Sequence, residues 1–363
     1  MPPRPILFRR LLPAWLIFCG VLAASFAQPT PRDRPLRPED TPAQPADPEP
    51  SAPATPPPTT GAAATGDDDY DPRYDTPAEA PVTNWLEVQI ELARRGFSSG
   101  SIDGVRGAQS AAALKAFQRN AGLRESGDLD RPTREALQLT APVFTTHTLT
   151  TEEFAALQPM ADTWLGKSEQ TALAHATALE FIAERYHASP NFLRRLNPDV
   201  DWDNALPGLV VQVPNVGTFT TDLRPTIFHV KLAERILQAT DDQGRIVAHF
   251  PVSIAKHVEK RPVGELAIVV VIPNPDYTFD PVNFPESDEA QTLGRRLIIA
   301  PGPNNPVGVA WIGLSRPGYG IHGTPEPEKV GRTESHGCFR LANWDARALL
   351  KLAKPGMRVI VEP

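Results

Sequence analysis

The residues best suited to chemistry lie near the carboxyl end of the chain, around a cysteine. Cys338 stands in the run Ser335-His336-Gly337-Cys338-Phe339-Arg340, and His322 precedes it by sixteen residues in Ile321-His322-Gly323-Thr324. A thiol is a weak nucleophile until it loses its proton, and a neighbouring imidazolium stabilises the thiolate and lowers the pKa of the thiol. The pattern therefore predicts that Cys338 is a nucleophile, paired as thiolate with the imidazolium of His322.

Small and polar neighbours of the cysteine suit the same chemistry. Gly337 leaves the backbone free to point N–H groups at a developing oxyanion, beside the N–H of Cys338. The guanidinium of Arg340 is a rigid fork suited to a carboxylate. Asn343 can orient main-chain groups. These residue types favour attack on a carbonyl carbon of an acidic substrate.

A zinc site is the alternative reading of the same residues. His322, His336 and Cys338 offer two nitrogens and a sulfur, which are good zinc ligands. A fourth ligand at a convincing spacing is missing from the sequence. We therefore expect no metal and no other cofactor.

The amino-terminal segment, residues 1–27, has the parts of a secretory signal peptide. Three arginines precede an apolar run over residues 11–24, and Ser25-Phe26-Ala27 is a small-x-small cleavage site. We expect an exported protein of the periplasm or cell envelope that begins at Gln28. The alternative is an uncleaved segment that anchors the chain in the membrane. After cleavage Cys338 is the only cysteine, and a lone thiol in an oxidising compartment is a candidate for a reactive one.

Composition excludes one class of partner and locates a tether. The net charge is −7 and 22% of the residues are charged, so there is no basic bias and we expect no nucleic-acid partner. Residues 28–82 hold 15 of the 41 prolines and have no hydrophobic periodicity. Such a segment cannot bury a core, so it predicts a disordered tether rich in Pro, Ala and Asp.

Residues 83–140 predict a small domain of three helices joined by short loops. The helices are expected over residues 85–95, 110–119 and 133–139, with Gly96 as the stop signal of the first. The motifs are Leu92-Ala93-Arg94-Arg95-Gly96-Phe97, Asp103-Gly104-Val105-Arg106-Gly107, Ala113-Leu114-Lys115-Ala116-Phe117-Gln118 and Gly127-Asp128-Leu129-Asp130. They resemble the small peptidoglycan-binding domain of many wall enzymes, which implies glycan strands as a partner. Most of the matching positions are core or turn positions, so they indicate the fold better than they indicate binding.

Residues 141–216 predict a connector followed by an α+β module. Residues 141–171 are expected to be irregular. Residues 172–216 predict two helices, the second stopped at Asn197-Pro198, and a strand over residues 209–214. The module resembles LysM, a family that binds glycans containing N-acetylglucosamine, but the opening strand of that family is not expected here.

Residues 224–363 predict a mainly β catalytic domain, the last part of a multidomain chain. A long loop over residues 273–309 is rich in proline and asparagine and is expected to be functional because of its length. A short helix is expected over residues 345–352. Strands are expected over residues 226–230, 235–239, 245–250, 266–272 and 358–361.

The motifs of this domain fit a family pattern. The pattern is His-Gly-Thr, a spacer, Ser-His-Gly-Cys, a hydrophobic residue and Arg-hydrophobic-x-Asn-x-Asp, and every element is present between His322 and Asp345. Residues 225–363 thus resemble the L,D-transpeptidase catalytic domain. One departure is Phe339, which replaces a more usual Ile or Val.

The resemblance implies a role for each residue of the site. Cys338 is the nucleophile and His322 the general base. Arg340 is a substrate or structural contact, and we assign it to substrate binding together with Asn343. The oxyanion-binding or orienting residues are Gly337, Ser335, His336 and Gly323.

The resemblance also implies a reaction in the biogenesis of the cell wall and of cell shape. The thiol attacks a tetrapeptide stem of peptidoglycan, D-Ala leaves, and an amine of another stem resolves the thioester to give a 3→3 cross-link. Sensitivity to carbapenems is implied as well. Three alternatives stay open: an L,D-carboxypeptidase with water as acceptor, a protein-to-wall ligase with a lysine as acceptor, and a non-catalytic wall-binding protein.

Overall fold

The computed structural model describes residues 80–284, 286–332 and 337–363. The chain divides into two units, residues 1–66 and 67–363, and every described residue belongs to the second. The expected signal peptide, nearly all of the expected tether, and Ser335 and His336 lie outside the described residues. Within the described ranges, no helix has both the length and the apolar character needed to cross a membrane.

Helices form most of the first half of the described chain, and strands form most of the second half. The helices are α1 (Trp85–Arg94), α2 (Ala108–Asn120), α3 (Arg131–Ala136), α4 (Thr151–Ala155), α5 (Trp164–Glu169), α6 (Ala178–Arg185), α7 (Pro190–Leu196), α8 (Asp288–Leu293) and α9 (Asn343–Leu352). The strands are β1 (Phe144–Thr148), β2 (Val210–Pro214), β3 (Ile227–Lys231), β4 (Ile236–Thr240), β5 (Ile246–Pro251), β6 (Gly264–Pro273), β7 (Tyr277–Phe279), β8 (Leu297–Ile299), β9 (Ala310–Leu314), β10 (Gly320–His322), β11 (Phe339–Arg340) and β12 (Arg358–Glu362).

The amino-terminal domain packs α1, α2 and α3 around a buried cluster that includes Ile90 and Leu114. The side chains of Asn84 and Asp130 accept backbone N–H groups at the starts of α1 and α3, which replaces hydrogen bonds that a helix start lacks. Gly96 follows α1 with φ of +81°, a left-handed conformation that favours glycine. The three-helix prediction is confirmed, and the bounds differ by three residues or fewer.

The next module has the order strand, two helices, strand. β1 and β2 pair antiparallel, with Phe144 opposite Pro214, and α6 and α7 bury Leu179, Ile182 and Phe192 in the same cluster as Val211. We refer to β1, α6, α7 and β2 as the βααβ module. The prediction that an opening strand is missing was wrong.

The connector prediction for residues 141–171 was also wrong, because this segment contains β1, α4 and α5. Apolar and polar residues do not alternate along β1, whose sequence is Phe144-Thr145-Thr146-His147-Thr148. No hydrophobic pattern in the sequence therefore predicts this strand. The segment between β1 and α6 is an insertion into the βααβ module.

The carboxyl-terminal domain is built on an eight-stranded sheet of the order β11-β10-β9-β6-β12-β3-β4-β5. The last strand of the chain, β12, lies between β6 and β3 and pairs parallel with β3. α9 packs on β6, β9 and β10, and the shared core includes Phe228, Phe250 and Phe339. The expected mainly β domain is confirmed. The sequence predicted it because alternating and continuous apolar runs mark its strands clearly.

Residues 274–300 fold into a small lobe, although the sequence predicted a long loop here. β7 and β8 pair antiparallel, and α8 lies between them in the sequence. Phe279 of β7 is fully buried and stacks on Trp164 of α5, with 4.4 Å between the ring centres. The lobe therefore completes its core with a side chain from the insertion of the βααβ module.

Backbone hydrogen bonds join the three parts of the molecule. The N–H of Ser98 donates to the carbonyl of His249 at 2.8 Å, and the N–H of His249 donates to that of Gly96 at 2.9 Å. These bonds cover β5, an edge strand whose polar groups otherwise invite pairing with another chain. The N–H of Ile102 donates to the carbonyl of His187 at 2.8 Å, which joins the helical domain to the βααβ module.

Candidate active site

Parallel pairing of β10 and β11 brings the segments that carry the expected nucleophile and base side by side at one end of the sheet. Ile321 lies opposite Phe339, and His322 lies opposite Arg340. Ile321 and Phe339 are buried in the core. Because side chains alternate along a strand, His322 and Arg340 lie on the other face of the sheet. Cys338 directly precedes β11, and its thiol is influenced by the charge of Arg340.

The thiol of Cys338 is partly buried against backbone. Its Sγ atom donates to the carbonyl oxygen of Gly318 at 3.6 Å. Burial raises the pKa of the Cys338 thiol above its ordinary value of 9.0, since a thiolate is disfavoured away from water. A backbone hydrogen bond with Gly320 and the charge of Arg340 oppose this rise without cancelling it. At neutral pH the resting thiol is therefore protonated.

The imidazole of His322 is buried and held in one orientation. Its Nδ1 atom lies 2.6 Å from the carbonyl oxygen of Gly323, which can only accept, so Nδ1 carries the proton and Nε2 has the free lone pair. The ring stacks on that of Trp311, with 5.7 Å between the centres. Burial lowers the pKa of His322 to about 4, although the bond to Gly323 opposes this shift.

These two shifts favour the neutral forms of both groups over the imidazolium–thiolate pair expected from the sequence. Both groups are removed from water, and burial disfavours the charged form of each. His322 is then in the form that accepts a proton, which suits a general base that acts when a substrate arrives.

Arg340 supplies positive charge next to the thiol. Its backbone N–H donates to the carbonyl of Ser253 at 3.0 Å, and its carbonyl accepts the N–H of Ser253 at 2.9 Å. The guanidinium favours the deprotonated forms of Cys338, His322 and Tyr277. Its Nε atom is buried and has no hydrogen-bond partner among the described residues. The position suits stabilisation of negative charge on sulfur or on a substrate.

Tyr277 is a site residue that the sequence did not indicate. It lies on β7 of the lobe, and burial raises the pKa of its phenol. Negative charge on Cys338 raises the pKa of the phenol further, so the two groups are close enough to interact electrostatically. No motif surrounds Tyr277, and only the folding of the lobe brings it within electrostatic reach of Cys338 and Arg340.

Asn343 does not bind substrate, contrary to the sequence-based expectation. Its side chain is fully buried at the start of α9. Oδ1 accepts the N–H groups of Thr324 at 3.1 Å and Val309 at 3.3 Å. Nδ2 donates to Glu184 Oε2 at 2.8 Å and to the carbonyl of Pro303 at 3.0 Å. All of these partners are protein groups, so Asn343 orients main-chain segments.

Two glycines near His322 are required by the close approach of Asn343. A Cβ atom on Gly323 would lie 2.2 Å from Asn343 Oδ1, and one on Gly308 would lie 2.1 Å from the same atom. Gly337 differs, because a Cβ atom there would lie 3.7 Å from the ring of Tyr319, an ordinary contact. Packing within the protein therefore explains the first two glycines but not Gly337.

Two family profiles match the sequence. Residues 225–361 match the "L,D-transpeptidase catalytic domain", and residues 82–137 match the "Putative peptidoglycan binding domain". The first covers the sheet with Cys338 and His322, and the second covers α1, α2 and α3.

Individual relatives carry the same family name. "Putative L,D-transpeptidase YkuD" of Bacillus licheniformis is 28% identical over 185 residues, which cover 51% of this chain and 93% of that protein. "Putative L,D-transpeptidase YqjB" of Bacillus subtilis is 31% identical over 117 residues, which cover 31% of this chain and 57% of that protein. L,D-transpeptidase 3 from Mycobacterium tuberculosis aligns with 17% identity over 44% of this chain and 77% of that chain, with a TM-score of 0.31, which is too low to support an argument.

Proposed function

We propose that this chain, which carries an L,D-transpeptidase catalytic domain and a peptidoglycan-binding domain, is an exported enzyme that cross-links stem peptides through a Cys338 thioester. The observation that carries the proposal is the parallel pairing of β10, which ends at His322, with β11, which directly follows Cys338, within the matched catalytic domain. A protonated thiol beside a neutral imidazole has the protonation states that proton transfer requires.

The first half-reaction forms the thioester. His322 Nε2 takes the thiol proton as Cys338 Sγ attacks the carbonyl carbon of the third residue in a tetrapeptide stem. The carbonyl oxygen becomes an oxyanion, which N–H groups near Gly337 and Cys338 stabilise. When this intermediate collapses, the C–N bond to D-Ala breaks and the imidazolium gives its proton to the departing amine.

The second half-reaction resolves the thioester with an amine of another stem. The amine attacks the thioester carbon, and His322 takes one proton from it. The C–S bond breaks, and the proton returns to the sulfur of Cys338. One amide bond is lost and one is formed, so the exchange needs no nucleotide. The products are free D-Ala and a 3→3 cross-link.

Two side chains in the cleft support charge formation in these steps. The guanidinium of Arg340 favours negative charge on the sulfur, which offsets part of the penalty from burial. Ser335 and His336, next to the nucleophile in the sequence, are proposed as orienting residues of the same site. Tyr277 places a phenol within electrostatic reach of the nucleophile.

The accessory domains are proposed to bind glycan strands. The order strand, helix, helix, strand supports a LysM-like role for the βααβ module. A cavity of about 340 Å³ lies between the end of α7 and β2, lined in part by Asp199 and Gln212, whose polar side chains suit a sugar. Two weak wall-binding modules raise the effective concentration of the enzyme at an insoluble polymer.

Export is proposed from the features of residues 1–27, and a periplasmic or envelope location follows from the substrate. An uncleaved segment would leave the same domains tethered at the membrane surface. Either form would reach peptidoglycan through the proline-rich residues 28–82.

Incubation of the purified chain with tetrapeptide muropeptides tests the function. We expect free D-Ala and dimers that tandem mass spectrometry identifies as 3→3 linked, and neither product with Cys338→Ala. D-Ala release without dimers would refute cross-linking in favour of hydrolysis. Dimers formed equally by Cys338→Ala would refute the thioester.

A further inference from the structure

Glu184 of the βααβ module is a buried carboxylate that faces the catalytic domain. Its side chain is 6% exposed on α6, opposite the amino-terminal end of α9. Arg347 Nη1 and His175 Nε2 lie 3.2 Å and 3.5 Å from its Oε1 atom. Burial raises the pKa of Glu184, but the nearby His175, the hydrogen bond from Asn343 and the charge of Arg347 outweigh it, so the net pKa is lowered. The group is therefore a carboxylate at neutral pH.

The other oxygen of this carboxylate contacts Asn343, the residue that orients the main chain next to His322. Glu184 Oε2 accepts Asn343 Nδ2 at 2.8 Å. A carboxylate can only accept, so, together with the carbonyl of Pro303, which accepts from the same Nδ2 atom at 3.0 Å, it fixes the orientation of the Asn343 amide. The amide oxygen is then turned toward the N–H groups of Thr324 and Val309. A flipped amide would set an NH₂ group against those two donors.

The contact continues from Asn343 to the base itself. Thr324 follows Gly323, whose carbonyl oxygen fixes the proton of His322 on Nδ1. The Asn343 amide has little room to move relative to Gly323, because the backbone of Gly323 lies against Asn343 Oδ1. A shift of the amide therefore moves the carbonyl that sets the orientation of His322.

We propose that Glu184 is a positioning residue for His322, so that the βααβ module completes the catalytic site in addition to any role in wall binding. It acts through the bonded series Glu184, Asn343, Thr324 and Gly323. The sequence separates Glu184 from the catalytic motifs, and a catalytic domain cut out at residue 224 would lack it.

Three single variants separate positioning from stability. Glu184→Met keeps a similar volume but removes one of the two acceptors of Asn343 Nδ2 and leaves the carbonyl of Pro303 as the other. Glu184→Gln retains an acceptor oxygen and loses the charge. Ser98→Ala is the matched control, because it removes another contact to α9, the 3.0 Å hydrogen bond from Ser98 Oγ to Asp345, without touching Asn343.

The first readout is the tautomer of His322 in the full chain, followed by NMR of ¹⁵N-labelled histidine and assigned with His322→Gln. We expect a single Nδ1–H form in the wild type and in Ser98→Ala. Glu184→Met should show a second population protonated on Nε2, and Glu184→Gln a smaller one. Loss of packing alone would not change the tautomer of a folded protein.

The second readout is the rate of Cys338 acylation by meropenem, separated into the rate at saturation and the half-saturating concentration. Misplacement of a catalytic group by about 1 Å can cost about 100-fold. We expect the saturated rate to fall about 10- to 100-fold in Glu184→Met and about threefold in Glu184→Gln, with little change in the half-saturating concentration.

The proposal is overturned if folded Glu184→Met matches Ser98→Ala in both readouts. Should Glu184→Met fail to fold, Glu184→Gln decides: a single tautomer with an unchanged rate would overturn the proposal. The rate readout rests on the proposed function, whereas the tautomer readout does not. A wild type that meropenem never acylates would count against the proposed function and leave the positioning of His322 still measurable.

Discussion

The pH dependence of Cys338 alkylation distinguishes a neutral pair from an ion pair. A thiol with a pKa of 9.0 is about 1% thiolate at pH 7, and burial raises the pKa of Cys338 above that value. Iodoacetamide reacts with the thiolate. The rate of alkylation should therefore be slow at pH 7 and rise about tenfold for each pH unit up to pH 9.

The assay follows alkylation of Cys338 by mass spectrometry between pH 5 and pH 10, with the urea-unfolded chain as reference. His322→Ala is the informative control. If the imidazole is neutral above about pH 4, its removal changes the alkylation profile by less than about threefold. A rate that levels off below pH 7, and that collapses in His322→Ala, would refute the neutral pair.

Acylation by a substrate should respond to pH differently, because His322 then acts as the base. The pKa of His322 is lowered to about 4, so its proton-accepting form is present above that pH and is lost below it. We expect the rate of acylation by meropenem to be nearly constant between pH 5.5 and pH 8. A steady rise across that range would mean that prior ionisation of the thiol limits the reaction.

Three further predictions concern the packing around the site. Gly323→Ala places a Cβ atom 2.2 Å from Asn343 Oδ1, so the two must separate by about 1 Å; acylation should fall about 100-fold, while Gly107→Ala, with no atom near its new Cβ, should keep its rate. The pKa of Asp345 is raised to about 8 by burial, so its contribution to stability is full below pH 3.8 and is lost as pH rises toward 8; Asp345→Asn should therefore melt higher than wild type at pH 9 but not at pH 4. Trp164→Ala should cost up to about 3 kcal/mol locally and speed hydrogen exchange in residues 274–300, and unchanged exchange there would contradict the packing of the lobe.

The sequence was sufficient for the elements whose hydrophobic pattern is strong. Strands such as β3, β4 and β6 lie within two residues of their predicted bounds, because their buried residues follow one another or alternate. The helices of the amino-terminal domain were found for the same reason, together with glycine stop signals. Cys338 and His322 could be paired because a short motif holds each of them.

The features that the sequence missed depend on contacts between distant segments. β1 is polar and becomes a strand only through pairing with β2. Tyr277 reaches the cleft because the lobe folds around Trp164, which lies in another module. Asn343 was predicted to be a substrate ligand because the residues around it in the sequence do not show that it is buried. The contact with Glu184, which belongs to another module, forms only in the folded chain.

The burial that disfavours charge on His322 and Cys338 could not be predicted for a related reason. A histidine near a cysteine indicates an ion pair only if both remain hydrated or otherwise stabilised as charges. In the folded chain His322 is 4% exposed and its ring lies against Trp311. Burial of this kind is a property of the assembled sheet and leaves no local mark in the motif.

The most direct test of the thiol nucleophile is the intact mass of the full chain after incubation with meropenem at pH 7. We expect one drug-sized adduct, mapped to Cys338, no adduct on Cys338→Ala, and formation at least about 100-fold slower in His322→Ala. An unmodified wild type whose Cys338 still reacts with iodoacetamide would contradict the account, as would an adduct that persists in Cys338→Ala.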